Sequence, residues 1–261
     1  MANTSPLLTV MINAARKAGR GLARDFGEVE NLQVSKKGPS DFVTAADLKA
    51  EKVIFEELSR ARPGYGFLME ERGEVAGTDK THRFIVDPLD GTTNFMHGLG
   101  HFAISIALER EGELVAGVVY DVVKDELFHA EKGGGAYVRD RRLRVASRTE
   151  LGAALVATGM PFRGKAGHAK FLDELGRVMD ATAGVRRYGS AALDLAYVAA
   201  GRFDAFWERD LSPWDIAAGA VIVREAGGFA REVDSGDFMK TGSIIAGNER
   251  MISLLGKVVA G

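Results

Sequence analysis

The sequence predicts a two-sheet chain of mixed α+β and α/β class, with an antiparallel sheet in the N-terminal half and a mixed, helix-covered sheet in the C-terminal half. Short apolar runs of strand length follow one another between residues 67 and 138 with turn residues between them, the pattern of a meander. From residue 154 onward strand-like and helix-like segments alternate, which places helices against a second sheet. The composition, 46% hydrophobic and 27% charged over 261 residues, is that of a folded globular chain. The length fits a single domain, 1–261, and the change of pattern divides it into subdomains 1–149 and 150–261 that pack tightly. The soft boundary near Arg148–Leu151 carries no Pro-, Gly- or Ser-rich linker.

In chain order, Ser5-Pro6 opens a helix to about Phe26, with Pro6 suited to its first position. Lys36 to Asp41, with Gly38 and Pro39, reads as a polar loop. Thr44-Ala45-Ala46-Asp47 reads as a capping box starting a second helix, which ends before Arg62-Pro63-Gly64. The strands expected next are Phe67–Met69, Phe84–Val86, His101–Leu108, Leu114–Tyr120, Leu127–Ala130 and Ala136–Val138. Glu131-Lys132-Gly133-Gly134-Gly135 is a hairpin turn and not a Walker loop, since no Gly-Lys-Ser/Thr follows. The second half alternates strand 154–157, helix 168–179, strand 185–188, helix 191–200, strand 203–207, helix 214–225, strand 243–246 and helix 249–259.

Several function classes are set aside by composition. A net charge of -2 gives no global field for nucleic acid or an anionic membrane. The absence of cysteine removes disulfides, thiolate metal sites and cysteine nucleophiles, and fits a cytoplasmic protein. No apolar run spans a membrane and the first residues do not read as a signal peptide. His97 and His101 are separated by Gly98 and Gly100, so they read as surface and core residues and not as a helical metal pair.

Acidic residues stand at the ends of apolar runs in three places. Glu70-Glu71 follows Phe67–Met69, Asp87-Pro88-Leu89-Asp90-Gly91-Thr92-Thr93-Asn94-Phe95 follows Phe84–Val86, and Pro213-Trp214-Asp215 opens a helix. Strand ends and helix starts are where α/β sheets bind ligands. If these acids converge, Glu70, Asp87, Asp90 and Asp215 repel one another until cations neutralise them. All-oxygen donors select a hard ion such as Mg²⁺ over zinc. Such ions activate water and clamp a phosphate. Gly91 permits close backbone approach to an anion, and Thr92 and Thr93 add hydroxyl donors. Thr92 is placed to orient a water, with Asp47 accepting from its hydroxyl. Taken singly, each motif also has a plain reading: a turn for Asp-Pro-Leu-Asp-Gly, a solvated face for Glu-Glu, a helix cap for Thr44 and Asp47.

Together, Asp87–Phe95, the run Trp214-Asp215-Ile216-Ala217-Ala218-Gly219-Ala220 continuing to Glu225-Ala226-Gly227-Gly228, the upstream Glu70-Glu71 and the segment Asp41–Asp47 resemble the inositol monophosphatase family. The resemblance runs from about residue 5 to residue 255. It implies a layered αβαβα sandwich, a homodimer, two or three Mg²⁺ per site, and lithium sensitivity. It implies metal ligation by Glu70, Asp87, the Leu89 carbonyl, Asp90 and Asp215. Catalytic roles fall to Glu70, Thr92 and Asp47, and phosphate binding to Gly91 and Thr92. Asp90, Gly189, Ser190, Ala191 and Glu208 match positions that contact the hydroxyl-bearing part of the substrate.

Tyr188-Gly189-Ser190-Ala191-Ala192-Leu193-Asp194-Leu195 resembles the bacterial inositol-1-monophosphatase branch, and Trp214 separates the chain from the histidinol-phosphate branch. The segment Asp210-Leu211-Ser212-Pro213 departs from the animal enzymes, which carry a histidine near Ser212. The expected substrate is myo-inositol 1-phosphate or a similar small phosphorylated polyol. Fructose 1,6-bisphosphate, adenosine 3′,5′-bisphosphate and histidinol phosphate are the alternatives, the bisphosphates needing a second basic site that Arg163, Arg186 and Arg187 could contribute to. Those arginines could equally form ion pairs. An alternative of another class is RNA or protein binding through Arg139, Arg141, Arg142 and Arg144, a cluster without the aromatic residues that stack bases.

Overall fold

The computed structural model describes residues 4–28, 34–38 and 41–261, and of 34–38 and 41–43 the backbone alone. Helix α1 (Pro6–Phe26) starts where the sequence places it, the Ser5 hydroxyl accepting the Leu8 N–H at 3.1 Å. Its apolar residues Leu8, Met11, Ala15, Ala18 and Leu22 recur every three to four positions and form one buried stripe. Strands β1 (Val34–Gly38) and β2 (Asp41–Thr44) pair antiparallel, so most of the expected 36–41 loop is hairpin strand; Pro39 and Ser40 lie outside the described residues. Helix α2 (Ala45–Ala61) carries the expected capping box between Thr44 and Asp47.

The first sheet follows: β3 (Gly66–Met69), β4 (Gly73–Val75), β5 (His82–Asp90), then the short helix α3 (Thr92–Met96), β6 (Ala103–Arg110), β7 (Glu113–Asp121), β8 (Glu126–Glu131), β9 (Gly135–Val138) and β10 (Arg141–Arg142). Its order is β10-β9-β8-β7-β6-β5-β3-β4. The run β5 to β10 is the antiparallel meander expected from the apolar runs. The sheet is not wholly antiparallel: β3 pairs parallel to β5, because the small β4 hairpin folds outward before the chain returns. That parallel pairing puts the ends of β3 and β5 side by side.

The second half contributes β11 (Leu155–Thr158), α4 (His168–Ala181), β12 (Gly184–Arg186), α5 (Ala191–Ala199), β13 (Ala205–Glu208), α6 (Pro213–Glu225), β14 (Phe229–Glu232), α7 (Phe238–Thr241), β15 (Ile244–Gly247) and α8 (Glu249–Ala260). These strands form a mixed five-stranded sheet, β12-β11-β13-β15-β14. β14 and α7 fall in the Gly- and Asp-rich stretch 227–242, where apolar periodicity is too short to read.

Five layers result. α1 and α2 cover one face of the first sheet, α5 and α6 lie between the sheets, and α4 and α8 cover the far face of the second. The middle layer explains its own sequence. Every residue of α5 is buried, Asp194 among them, as is Ile216–Val223 of α6, so both helices are largely apolar on every side. They are also rich in alanine and glycine, which lets backbones approach. Gly117 on β7 is one such contact: an added Cβ would lie 2.5 Å from the Ala218 carbonyl oxygen. Among the described residues no helix is long and apolar enough to cross a membrane.

Gly117→Ala is expected to destabilise the protein by about 1–3 kcal/mol through overpacking. Gly152→Ala, where nothing lies within 4 Å of the added methyl, is expected to be near neutral. Urea unfolding midpoints of the two variants check this.

Candidate active site

In a regular strand residues three apart point to opposite faces. Asp87 and Asp90 escape that rule. Asp87 pairs with Ser105 and Asp90 with Ala103, so three steps on β5 oppose two on β6. This bulge, at Pro88, turns both aspartates toward one place. Asp215 reaches the same place from the first turn of α6, where its Oδ2 accepts the Ser212 N–H at 2.7 Å. Carboxylate oxygens of Asp87, Asp90 and Asp215 all lie within 4.8 Å of one another. Glu70, beyond the end of β3, lines the same cleft but stands outside that tight group. The Glu70-Glu71 segment is tied down by Glu51, whose Oε2 accepts the Glu71 and Arg72 N–H groups at 2.8 and 3.2 Å.

The residues around the cluster hold it in shape. The Leu89 N–H donates to Asp87 Oδ1 at 2.8 Å, and the Leu89 carbonyl accepts the Thr92 hydroxyl at 3.0 Å. That hydroxyl also reaches Asp47 Oδ1 at 3.2 Å, the contact expected from the sequence. Asp47 is fully buried, and its Oδ2 accepts both the N–H and the hydroxyl of Thr44. Gly91, at φ 99°, caps α3 in the left-handed region, and a Cβ there would crowd the carbonyl oxygens of His101 and Gly189 at 3.1 and 3.2 Å. So the first half meets the second at this glycine. Asn94 fastens the seam, its Nδ2 donating to the His101 and Tyr188 carbonyls at 2.8 Å each.

The second half supplies one wall. Asp90 Oδ2 accepts the Ser190 hydroxyl at 2.6 Å and the Ala192 N–H at 2.7 Å. Gly189, Ser190, Ala191 and Glu208 line the cleft, whose volume is about 950 Å³. Glu208 lies directly over Gly159: a Cβ there would fall 1.8 Å from Glu208 Oε1. β12 ends at Arg186, not at Tyr188 as expected, because Arg187 and Gly189 leave the sheet to line the cleft. His97 is exposed, and His101 packs edge-on against Tyr188 and Tyr197. Burial and then Lys124 push the His101 imidazole down to about 4, so it is neutral.

Every acid of the cluster resists ionisation. Burial, then Glu70, Asp90 and Asp215, raise Asp87 well above the usual carboxylate range. Burial lifts Asp90 to about 6 against the hydrogen bonds from Ser190 and Ala192. Burial, then Asp90, lift Asp215 to about 8. Glu208 reaches about 8 through burial, Asp215 and Asp90, with Arg187 opposing. Asp47 is raised by burial despite the Thr44 bonds. Buried carboxylates this close are relieved by protonation or by a cation, and their all-oxygen donor set fits a hard divalent ion.

The inositol monophosphatase family model matches residues 3–260. The chain belongs to the inositol monophosphatase family. By that membership it is a phosphatase. It is 62% identical to a Mesorhizobium japonicum protein named inositol-1-monophosphatase, over 98% of this chain and 96% of that one. It is 44% identical to the Escherichia coli Nus factor SuhB, over 96% and 94%. The crystal structure of the extragenic suppressor protein suhB from Bartonella henselae superposes with a TM-score of 0.95 at 57% identity, covering 98% of each chain. The layered αβαβα arrangement is thus the family fold.

Sequence reasoning passed over Asn94 as the seam bolt, Gly159 as the bed of Glu208 and Glu51 as the anchor of the Glu70 loop. Asn94 lay inside a motif already singled out; the other two carried no local signal. Arg187, named in the sequence as a possible part of a basic site, does line the cleft.

A carboxyl raised in the folded state binds its proton on folding, so it stabilises at low pH and loses that contribution as pH rises through its folded value. In chelator, stability is therefore expected to fall between about pH 4 and 8, by about 1.4 kcal/mol per pH unit for each proton released. A saturating divalent cation should flatten the profile. Asp90→Asn should melt higher than the parent chain in chelator at pH 8 and lose that advantage with cation present. Thermal melts across pH check both statements.

Proposed function

We propose that this phosphatase is a Mg²⁺-dependent phosphomonoesterase acting on myo-inositol 1-phosphate or a closely related polyol phosphate. The observation that carries the reading is the buried cluster of Asp87, Asp90 and Asp215 beside the Thr92–Asp47 pair. The inositol-1-monophosphatase names of relatives 59% and 62% identical support the polyol. In this reading Glu70, Asp87, the Leu89 carbonyl, Asp90 and Asp215 hold two or three Mg²⁺, and a homodimer acts in the cytoplasm. Bound Mg²⁺ supplies charge neutralisation, an activated water and a clamp on the phosphate.

The chain's own residues do the rest. Asp47 takes the Thr92 proton in a hydrogen bond, which leaves Thr92 Oγ1 lone pairs to receive a water's proton and aim it. Glu70, which lines the same cleft, is the second residue bearing on that water. Gly91 and Thr92 hold the phosphate by their backbone N–H groups. Glu208, Asp90 and the Gly189–Ala191 turn receive the polyol hydroxyls. Attack is in line on phosphorus and no phosphoenzyme forms, since the water and not a side chain is the aimed nucleophile.

A second reading has a specific observation behind it. A 44% identical relative is named a Nus factor, and Arg139, Arg141, Arg142 and Arg144 are exposed. A nucleic-acid or protein-binding role could coexist with catalysis. Against it, Arg142 lies along its own hairpin, 3.1 Å from where a Gly135 Cβ would stand. Strongly salt-dependent retention by RNA would support the second reading, and no retention at low salt would remove it.

Phosphate release with and without Mg²⁺ tests the first reading on inositol 1-phosphate, fructose 1,6-bisphosphate, adenosine 3′,5′-bisphosphate and histidinol phosphate. Mg²⁺-dependent turnover led by inositol 1-phosphate is expected. Leadership by another substrate would keep the site and refute the polyol. Glu208→Gln is expected to raise KM for inositol 1-phosphate about tenfold, the loss of one hydrogen bond to a charged group. It should leave p-nitrophenyl phosphate, which has no hydroxyls to receive, almost unchanged.

A further inference from the structure

Away from the cleft a second cavity of about 210 Å³ lies between α1 and the β8–β10 corner of the first sheet, lined by Ile12, Arg16, Leu127, His129, Arg139 and Asp140. Its two arginines come from different elements, one from the middle of α1 and one from the turn between β9 and β10. Among the described residues neither forms an ion pair. The Arg139 side chain makes one bond, Nη2 donating to the Asp125 carbonyl at 3.3 Å. The Asp125 carboxylate is engaged by the Tyr120 hydroxyl at 2.8 Å. Asp140 is the acid of the lining.

Arg16, Arg139 and Asp140 are exposed at its mouth, and two features fix their surroundings. Val138 pairs with Arg141, so Arg139 and Asp140 form a two-residue turn, and Arg139 adopts φ 53°. Hairpins give that position to glycine, asparagine or aspartate, and an arginine there costs about 1–2 kcal/mol. His129, 6% exposed, also lines the cavity and stacks on Tyr137. Burial holds this imidazole below its usual range, with Arg16 close enough to add to the effect.

We propose that this cavity is a binding site for a phosphate group, free or esterified. Two unpaired guanidinium groups turned to one small space are stabilised by an anion between them, and their planar forks match a tetrahedral oxyanion. The volume holds a phosphate and a short carbon stub against Ile12 and Leu127, and excludes ligands of drug size, which occupy about 300–1,000 Å³. A phosphatase releases inorganic phosphate at every turnover, so the free ion is always at hand. The site stands independently of the substrate assigned to the cleft.

Arginine-selective modification by phenylglyoxal, read residue by residue by peptide mass mapping, tests it on the full chain with Mg²⁺ present. Inorganic phosphate at about four times its dissociation constant should slow modification of Arg16 and Arg139 about fivefold, by mass action. Exposed Arg110 should react at its unchanged rate. Arg16→Gln should abolish the protection of Arg139 while leaving turnover in the cleft unaltered. Methylphosphonate, which the enzyme cannot hydrolyse, separates the sources: protection by it assigns the site to the phosphoryl group of an ester as well, and protection by phosphate alone assigns it to the free ion. Equal rates with and without phosphate would overturn the proposal. So would protection of Arg139 that survives in the Arg16→Gln variant, or protection by RNA and not by phosphate.

Discussion

The fold is organised around a repulsion. Three carboxylates whose oxygens lie within 4.8 Å of one another sit where two sheets meet, with Glu70 and Glu208 close by. Removing such groups from water disfavours their charge, and each neighbour disfavours it further. A chain tolerates this only if the surrounding structure is over-determined. The hydrogen bonds to Asp47, Asp87, Asp90 and Asp215 are therefore short and come from rigid elements: a strand bulge and the first turns of α2, α5 and α6. A cation held there would relieve the repulsion, which would couple its binding to the stability of the fold.

That coupling crosses the whole sequence. Asp90 belongs to the first sheet, yet its Oδ2 is held by Ser190 and Ala192 from the second half. Asn94 reaches the Tyr188 carbonyl, and Gly91 is pressed against Gly189. The middle helices α5 and α6, buried on both faces, leave no water layer between the two sheets. The halves cannot shift by an ångström without moving Asp215 or Ser190 relative to Asp90. Phosphoryl transfer depends on positioning more than on covalent chemistry, and this packing supplies it.

Much of this was legible in the sequence, and the reasons are particular. α1, α2, α4, α5, α6 and α8 announce themselves by caps and by long apolar patterns, and the β5–β9 strands by runs between turns. The parallel β3–β5 pair was not legible, because strand direction depends on what the chain does between residues 70 and 81 and not on either strand. The stretch 36–41 was taken for a loop because its polar residues show no alternation, whereas Lys36, Gly38 and Asp41 belong to paired strands. At the site, acids next to apolar strand ends pointed to Glu70, Asp87, Asp90 and Asp215. Glu51 and Gly159 stayed hidden, since what makes them matter is a contact 20 or more residues away in the chain.

Two of the plain readings, the helix cap at Asp47 and the helix start at Asp215, hold in the same side chains that face the cluster, whereas Asp87–Asp90 ends strand β5 and is not a simple turn. Asp47 does cap α2, and it does receive the Thr92 hydroxyl, one oxygen for each task. Asp215 does bond the Ser212 N–H at the start of α6, and its carboxylate does join the acid cluster. A carboxylate has two oxygens and several lone pairs, so capping and chemistry are not rival explanations. Using the cap to orient the functional oxygen fixes the side chain at no added cost in rotamer freedom, because the helix start has already ordered it. An acid at the third position of a capping box that opens into a cleft is therefore a stronger functional signal than an acid on a helix face, and it is one that sequence alone can show.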